Sequence, residues 1–451
     1  MNNNHVAVIG GGCAGLSAAA ELVDRGYAVT IFEASSQLGG RARTVVVENN
    51  DLMHQLDNGQ HILLGAYRET LALLRKVGVD EKQAFLRVPL QMTMQSNIAK
   101  SAFSLKSAHY LPAPLNMLFG LLACKGLSFA ERMAAIKLMA YLKRSNYQIA
   151  KDTPLEQFLI GHQQTIHLIE MLWEPLCLAA LNTPIRNAST RIFLNILRDT
   201  FTGNKKNSDF LLPRLDLSQI MAYPLSRYIR SKGGVIRLNK RIRSLTAVTD
   251  TVGKEGFNLE TRDEKYFFSH VVLAVSPARV DIFLANLPKL QRTIEQIQSY
   301  TYQPIYTIYL QYPTENKLPS VMIGLTKTSE KSKVIAQWVF DRGQLCGQKG
   351  LMAVIVSAGG KHQKLTHDEL ALKIARELSH AFPDLPKPLW HKVIAEKRAT
   401  FSCVSNLARP TNKTAQPHLY LAGDYTYADY PATIESAVRS GIACANLITN
   451  S

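Results

Sequence analysis

The chain has 451 residues, of which 46% are hydrophobic and 19% charged, and its formal net charge is +17. This composition supports a sizeable buried core and excludes a largely disordered or collagen-like chain. Six cysteines are scattered without any CxxC spacing, which argues against both a disulfide framework and a zinc site, so we expect no metal.

The basic charge suggests either nucleic acid or an anionic membrane surface as a partner. The densest basic group (Arg237, Lys240, Arg241 and Arg243) is not interleaved with aromatic residues, so we predict no nucleic acid. The longest apolar stretch, residues 111–124, is interrupted by prolines and is shorter than the roughly 20 residues needed to span a bilayer. The first residues do not resemble a signal peptide. We therefore expect a cytoplasmic protein, and peripheral contact with the inner face of the membrane stays open.

The first elements in the chain form one strand–helix–strand unit. Residues 5–9 and 28–32 are apolar and predict strands, and residues 14–25 predict the helix between them. The first strand leads into Gly10-x-Gly12-x-x-Gly15. Gly10 permits a tight turn, Gly12 lets the backbone approach a pyrophosphate, and Gly15 lets the helix pack on the strand. The helix N-terminus then favours the negative phosphates.

An acidic residue and a basic segment complete this pattern. Glu33 stands at the end of the second strand, 18 residues after Gly15, where its carboxylate can accept hydrogen bonds from the ribose hydroxyls of adenosine. Gly40 and Arg41 follow closely, and they suit a backbone that approaches a pyrophosphate while a cation neutralises it. Together these residues predict a dinucleotide-binding site.

The rest of the chain alternates between helical and strand patterns. We predict helices within residues 112–197, strands within 233–244, 266–275, 305–312 and 351–357, a helix over 366–381, a strand over 419–422 and a helix over 434–448. A Thr366-x-x-Glu369 capping box opens the helix over 366–381. Strands of one type at both ends predict a discontinuous nucleotide-binding domain that encloses a second domain.

Glu33 followed by Gly39-Gly40-Arg41 resembles the flavin-binding signature of the amine oxidase and phytoene desaturase superfamily. The Gly423-Asp424 turn and the last helix resemble the C-terminal part of the same signature. The resemblance implies that the cofactor is FAD. It also implies that Asp424, after Gly423, holds the ribityl and phosphate region, and that the last helix, from Thr433 and Ile434, directs its N-terminus at the flavin pyrimidine. Ile242 matches a strand whose backbone contacts adenine in that superfamily.

Residues 56–67 narrow the resemblance. The run Asp57-Asn58-Gly59-Gln60-His61 resembles the hydroxysqualene dehydroxylases of bacterial hopanoid pathways, also called squalene-associated FAD-dependent desaturases. In the superfamily the residues at this position, here Gly59 and Gln60, line the flavin ring. The family resemblance implies conversion of hydroxysqualene to squalene at the expense of reduced FAD, with a long isoprenoid as the substrate and a reductant that the sequence does not identify.

The resemblance also implies the fold class. We expect an α/β protein with a discontinuous Rossmann-like FAD-binding domain over residues 1–75, 205–280 and 395–451. An inserted α+β substrate-binding domain occupies residues 76–204 and 281–394 and contains a helical insert.

His61 is our first candidate for the group that protonates or orients the leaving hydroxyl, because an imidazole titrates near neutrality. Asp57 either fixes the loop or orients His61. Arg214, Arg398 and Tyr425 are weaker candidates. Three alternative functions stay open, namely an FAD-dependent desaturase of a carotenoid precursor, an amine oxidase, and a non-catalytic flavoprotein.

Overall fold

The computed structural model describes residues 5–49, 52–95, 102–249, 253, 255–326 and 334–450. Within these residues the strands form five sheets, which helices cover. The strands are β1 His5–Ile9, β2 Ala28–Phe32, β3 Thr44–Asn49, β4 Leu52–Asp57, β5 Leu63–Leu64, β6 Phe85–Val88, β7 Gln91–Gln95, β8 Phe103–Lys106, β9 Phe210–Pro213, β10 Val235–Arg237, β11 Ser244–Thr249, β12 Glu255–Glu260, β13 Lys265–Phe268, β14 His270–Leu273, β15 Tyr302–Gln311, β16 Met322–Leu325, β17 Trp338–Asp341, β18 Leu351–Ser357, β19 Trp390–Phe401 and β20 Leu419–Leu421.

The α-helices of the same residues lie mostly between the strands of different sheets. They are α1 Cys13–Asp24, α2 Arg68–Lys76, α3 Glu81–Ala84, α4 Leu115–Leu122, α5 Phe129–Arg144, α6 Leu155–Gly161, α7 Ile166–Leu168, α8 Glu174–Leu181, α9 Thr190–Phe201, α10 Tyr223–Ser231, α11 Val280–Leu284, α12 Gln291–Gln298, α13 Arg342–Cys346, α14 His367–Ala381 and α15 Ile434–Thr449. Two π-helical turns, Ile169–Trp173 and Ser218–Ala222, precede α8 and α10.

A parallel sheet with the strand order β10, β2, β1, β14, β20 joins the two ends of the chain. Strands β1 and β2 are buried after their first residue, as expected for the continuous apolar strands of a parallel sheet covered on both faces. Helix α1 packs against α15 and α10. The predicted bounds of both strands are confirmed, and the helix between them begins at Cys13, one residue earlier than predicted.

This sheet takes its strands from three separate parts of the chain, which confirms the predicted discontinuous Rossmann-like architecture. The predicted limits of the domains remain a prediction, with one local exception. Strand β19 passes through the limit at 394/395 and pairs with β15 on both sides of it, from Trp390 to Phe401. That limit therefore falls inside a strand of the second sheet. The sequence does not indicate this strand, because the charged run Glu396-Lys397-Arg398 interrupts its apolar residues.

The second large sheet has the strand order β19, β15, β18, β17, β16, β7, β8. Strands β15 and β18 pair antiparallel, with Ile308 opposite Val354, and most of their residues are buried. They correspond to the strands predicted over 305–312 and 351–357. Helix α14 packs on β15 and β19, and its capping box of Thr366 and Glu369 forms as predicted.

Helices α4 to α9 occupy the stretch that the sequence predicts to be helical, residues 112–197. They pack beside a small sheet in which β9 pairs with β5 and β6. In this sheet Leu64 lies opposite Phe210, so the segment that follows β4 is placed next to the helical region. The loop between Asp57 and Leu63 thus connects strand β4 to the small sheet beside the helical region.

Candidate active site

The glycines of the loop after β1 differ in the space around them. Gly10 has a φ of +113°, and a Cβ on it would stand 2.4 Å from the Ala274 carbonyl oxygen. A Cβ on Gly15 would stand 2.0 Å from the Gly10 carbonyl oxygen. At Gly12 the nearest atom would be the Cα of Gly40, at 3.9 Å. Gly10 and Gly15 are thus required by packing, and Gly12 leaves open space at the start of α1. Gly40, with a φ of +60°, brings its backbone close to this space.

Helix α1 begins at this open space without a capping side chain. Its N-cap residue is Gly12, and its first turn carries no acidic residue. The first N–H groups of a helix have no intrahelical acceptor, and the helix dipole favours negative charge there. The loop and helix together can hold a pyrophosphate, as the sequence predicts.

Glu33 anchors the glycine loop from the end of β2. Its Oε2 accepts a hydrogen bond from the Gly11 amide at 2.7 Å, and its Oε1 accepts from the amide and hydroxyl of Ser35 at 2.9 and 3.0 Å. A carboxylate has about four acceptor positions, so ribose hydroxyls can share it. The sequence identifies the ribose contact but not this second task of holding the loop.

Arg41 and Asp424 join the N-terminal and C-terminal signatures. Arg41 Nη2 lies 2.6 Å from Asp424 Oδ2, and the side chain of Asp424 is 5% exposed. The negative charge of Asp424 raises the pKa of the Arg41 guanidinium. Arg41 also donates to the Ala399 carbonyl oxygen, and its own carbonyl oxygen accepts from Asn58 Nδ2 at 3.2 Å. The two signatures and the loop after β4 therefore form one site.

Helix α15 begins beside the Gly423-Asp424 turn. Thr433 caps it by accepting a hydrogen bond from the Ser436 amide at 3.2 Å, and Ile434 is its first residue. The Gly423 amide donates to Ser440 Oγ of the same helix at 2.9 Å. The first half of α15 is therefore fixed relative to the Gly423-Asp424 turn. The predicted approach of its N-terminus to the flavin pyrimidine is a proposal for this chain.

Ile242 lies in the segment between β10 and β11 and is 4% exposed. Two residues before it, the Lys240 amide donates to the Glu33 carbonyl oxygen at 2.9 Å. This backbone pairing brings the segment to the same side of the sheet as Glu33. The predicted contact between Ile242 and adenine is a proposal for this chain.

The loop after β4 is held mainly through Asp57. Its Oδ1 accepts from the Leu217 amide at 2.9 Å, and its backbone oxygen accepts from the Tyr309 hydroxyl at 2.9 Å. Burial raises the pKa of the Asp57 carboxyl to about 6, although the Leu217 hydrogen bond and the charge of Arg342 oppose this. Of the two roles that the sequence leaves open for Asp57, its partners favour fixing the loop over orienting His61.

Arg342, at the start of α13, is a residue that sequence reasoning missed. Its Nη1 donates to Gln60 Oε1 at 2.9 Å and lies 3.9 Å from Asp57 Oδ2. The guanidinium is 5.7 Å from the centre of the Tyr309 ring. Arg342 is 5% exposed, and through these contacts it stabilises the loop after β4. No local motif marks Arg342, and only its position directly after the buried strand β17 hints at a special role.

His61 has one nitrogen bound and one available. Its Nδ1 lies 2.6 Å from the Gly59 carbonyl oxygen. Since a carbonyl only accepts, Nδ1 carries the hydrogen, and Nε2 of the neutral ring is an acceptor. Burial lowers the pKa of His61, and the charge of Arg41 lowers it further, whereas the Gly59 hydrogen bond raises it. This geometry favours a neutral ring that accepts a hydrogen bond.

The weaker candidates are placed as follows. Arg214 is exposed, and its amide donates to the Ala84 carbonyl oxygen. Arg398 is exposed and lies over the Tyr302 ring. Tyr425 is fully buried beside Asp424. The structure thus places Arg214 and Arg398 at the surface and Tyr425 next to Asp424 in the candidate site.

Buried polar atoms around the site test whether FAD fits. Arg43 Nε, Thr307 Oγ1 and the Tyr425 hydroxyl are buried without a hydrogen-bond partner among the described residues. Thr307 Oγ1 would be 3.6 Å from a Cβ on Gly59. Because buried polar groups are normally paired, such atoms fit a site that receives a polar ligand. The open glycine cradle and these atoms together fit FAD.

An apolar cavity of about 400 Å³ lies in the helical region. Its walls come from α4, α5, the π-helical turn before α8, the end of α9, and strands β7 to β9. Phe210, which lies opposite Leu64 in the small sheet, is one of its lining residues. The cavity thus adjoins the segment that continues from His61, in the stretch where the sequence predicts an apolar substrate region.

The family and sequence comparisons identify relatives that bind flavin or act on isoprenoids by name. The sequence profile described as "Flavin containing amine oxidoreductase" matches residues 13–449. A hydroxysqualene dehydroxylase of Zymomonas mobilis subsp. mobilis is 27% identical, over 98% of each chain. One of Rhodopseudomonas palustris is also 27% identical over 98% of each chain. A 15-cis-phytoene desaturase of Solanum lycopersicum is 24% identical, over 98% of this chain and 77% of its own.

A solved structure shows the same fold at low sequence identity. An oxidoreductase from Methanosarcina mazei superposes with a TM-score of 0.71 at 16% identity, covering 97% of this chain and 99% of that one. This likeness supports the α/β architecture described above.

Proposed function

This chain belongs to the flavin containing amine oxidoreductase family, and on that premise we propose that it converts hydroxysqualene to squalene by reductive removal of the hydroxyl group. The observation that carries the proposal is the end-to-end similarity to hydroxysqualene dehydroxylases. The phytoene desaturase, in contrast, is less similar and leaves part of its own length unmatched.

Family membership confirms the predicted flavin cofactor. In our proposal Gly12, Gly40 and the start of α1 hold the pyrophosphate of FAD, and Arg41 neutralises its charge. Glu33 binds the ribose and Asp424 the ribityl region. When bound, reduced FAD supplies the hydride that replaces the hydroxyl group at the carbinol carbon, and the hydroxyl leaves with one proton as water.

The residues of the loop after β4 orient the substrate in this proposal. His61, with Nδ1 committed to Gly59, presents Nε2 as an acceptor for the substrate hydroxyl. Asp57 and Arg342 keep the loop in place, and the apolar cavity receives hydrocarbon chain and excludes water. A hydroxyl held in one position beside the hydride donor has a lower entropic barrier to reaction.

An anaerobic experiment tests the function. The purified protein is reduced, hydroxysqualene is added, and flavin absorbance is followed together with product analysis. We expect reoxidation with formation of squalene in equal amount. Phytoene and a primary amine are tested in parallel with the oxidised protein, because the desaturase and amine oxidase alternatives predict that these compounds reduce the flavin. Turnover of either one, with no reaction of hydroxysqualene, would reject our proposal.

We also propose that the helical region contacts an anionic membrane surface. No helix within the described ranges is long enough and apolar enough to cross a bilayer. Aromatic side chains are nevertheless exposed on the segment that encloses the cavity, namely Tyr110 (74%), Phe119 (47%) and Phe129 (71%). The exposed Lys125 lies in the same segment, and the chain is strongly basic. Apolar side chains beside basic ones suit peripheral binding to anionic lipid.

Vesicle flotation tests the membrane contact. We expect binding to vesicles with phosphatidylserine at low salt, weaker binding at high salt, and a further loss in a Phe119→Ser, Phe129→Ser variant. Leu389→Ser is the matched control, since Leu389 is 68% exposed on another part of the chain. Equal flotation of all three proteins would contradict the assigned surface.

A further inference from the structure

The cavity in the helical region is apolar except at a few positions. Met117, Leu121, Met139 and Leu172 are among its lining residues, and its volume lies in the usual range of ligand sites. The exposed Lys143 and Lys205 also line it, which places them where the cavity reaches the surface.

Two buried polar side chains of this cavity each carry an oxygen that has no hydrogen-bond partner among the described residues. Asn116 on α4 is 3% exposed and Thr200 on α9 is 5% exposed, and both line the cavity. Asn116 Oδ1 and Thr200 Oγ1 form no hydrogen bond among the described residues. The backbone of Asn116 is paired, since its amide donates to Pro112 and its carbonyl accepts from Ala108. The unmet hydrogen bonds therefore belong to the side chains.

Buried polar atoms without partners destabilise a protein unless a ligand or water pairs with them. In a cavity that binds only hydrocarbon, an unpaired asparagine or threonine lowers the stability of the fold. Leucine and valine have similar shapes and would avoid this loss. Their presence points to a ligand that is apolar for most of its length and carries a group able to form hydrogen bonds.

Helix α9 also connects this wall with the flavin-binding part of the site. Asn195 Nδ2 donates to the Asp429 carbonyl oxygen at 3.0 Å, and the Tyr430 hydroxyl donates to Asp199, the residue before Thr200. Asp429 and Tyr430 precede the N-terminus of α15. Thr200 therefore lies on the helix that braces the segment leading to the cofactor.

We infer that Asn116 and Thr200 form a hydroxyl-recognition subsite, by which the cavity binds an isoprenoid alcohol in preference to the corresponding hydrocarbon. The identification of the ligand as an isoprenoid rests on the proposed function. The hydroxyl of an alcohol that occupies the cavity satisfies the two side chains before it moves on to His61 for the reaction, whereas the hydrocarbon product leaves them unpaired. A site built to pair with a hydroxyl discriminates strongly against the analogue that lacks it. The subsite thus favours binding of substrate and release of product.

Ligand binding to the oxidised holoenzyme tests this inference without catalysis. Trp173 lines the cavity, so its fluorescence reports occupancy by the C15 alcohol farnesol or the C15 hydrocarbon farnesene. Thr200→Val and Asn116→Leu remove the polar groups at nearly constant shape. We expect each to weaken farnesol binding about tenfold and to leave farnesene binding unchanged or stronger.

Two further variants keep the result interpretable. Thr200→Ser retains the hydroxyl and should retain the preference for farnesol, even if the other variants fold poorly. Met139→Leu alters an apolar wall residue and should change the binding of both ligands equally. A preference for farnesol that survives Thr200→Val and Asn116→Leu, or no preference in the wild type, would overturn the inference.

The outcome is separable from that of the proposed function. If hydroxysqualene reoxidises the flavin but the variants keep the wild-type preference, only the subsite is rejected. If the variants lose a preference that the wild type has, but hydroxysqualene does not react, the subsite stands and the reaction is rejected.

Discussion

Arg41 Nη2 donates to Asp424 Oδ2 at 2.6 Å, across 383 residues of sequence. This ion pair joins the glycine–arginine segment that follows β2 to the turn that follows β20. It therefore brings the two signature segments, from opposite ends of the chain, together at one candidate cofactor site.

The first prediction concerns this pair. Arg41→Ala should weaken FAD binding, because it removes a cation near the pyrophosphate and leaves Asp424 buried without its partner. Arg41 is 40% exposed, so solvent screening places the expected loss near tenfold. Titration of the apoprotein with FAD measures it. Arg25→Ala is the control, since Arg25 pairs with Glu21 at the surface and should leave the affinity unchanged.

The second prediction is a pH dependence of stability due to Asp57. Its pKa of about 6 in the folded chain lies above the usual 3.8. Between these values the folded state holds a proton that the unfolded state has lost, so stability falls as pH rises from about 4 to about 6. The expected loss for this group is about 3 kcal/mol.

Asp57→Asn tests this dependence directly. Asparagine can still accept the Leu217 hydrogen bond but does not ionise. Denaturant unfolding at several pH values between 4 and 7 should show that the variant gains stability relative to the wild type as pH rises. Parallel pH curves for the two proteins would contradict the raised pKa.

Local sequence predicts one half of this site well and the other half poorly. Gly10, Gly12, Gly15 and Glu33 lie within one strand–helix–strand unit, where spacing along the chain fixes spacing in space. Arg342, in contrast, reaches the loop after β4 from α13, which is 282 residues away from its partner Gln60. Such contacts depend on how the two large sheets are positioned relative to each other. Neither hydrophobic periodicity nor a short motif predicts this relative position.

The long-range contacts of Asp57 could not be predicted either, although the sequence did identify this residue. Its family motif marks it as important, but its partner, the Leu217 amide, lies 160 residues away in an unremarkable segment. Role and partner could therefore be assigned only from the structure. The predicted domain limit at 394/395 likewise falls inside strand β19. The exposed charged residues of this strand interrupt its apolar pattern, so the sequence does not indicate one continuous strand.

The third prediction concerns Arg342. Arg342→Met should lower the free energy of unfolding by about 3 kcal/mol, because Gln60 loses its donor and Asp57 loses the nearest cation in a buried setting. It should also perturb the flavin absorbance spectrum, since Gln60 belongs to the loop predicted to line the ring. A merely structural arginine would leave the spectrum of the folded holoenzyme unchanged.

Two comparison variants support this measurement. Arg342→Lys retains the charge and should recover part of both the stability and the spectrum. Arg87→Met removes a more exposed arginine, which pairs with Glu81 and Asp209, and should cost less stability than Arg342→Met. A larger effect at Arg87 than at Arg342 would reject the role assigned here.

The last prediction separates the two roles of His61. An orienting His61 is neutral at pH 7, because its pKa is lowered by burial, and it accepts the substrate hydroxyl at Nε2. His61→Ala should then slow single-turnover hydride transfer about tenfold, the value of one hydrogen bond, with no change in the pH profile. His391→Ala, at a histidine paired with Asp368, should leave the rate unchanged.

A proton donor behaves differently, since the rate of the wild type would rise as pH falls through the lowered pKa of His61, and that rise would vanish in the His61→Ala variant. An unchanged rate in His61→Ala would remove this residue from both roles.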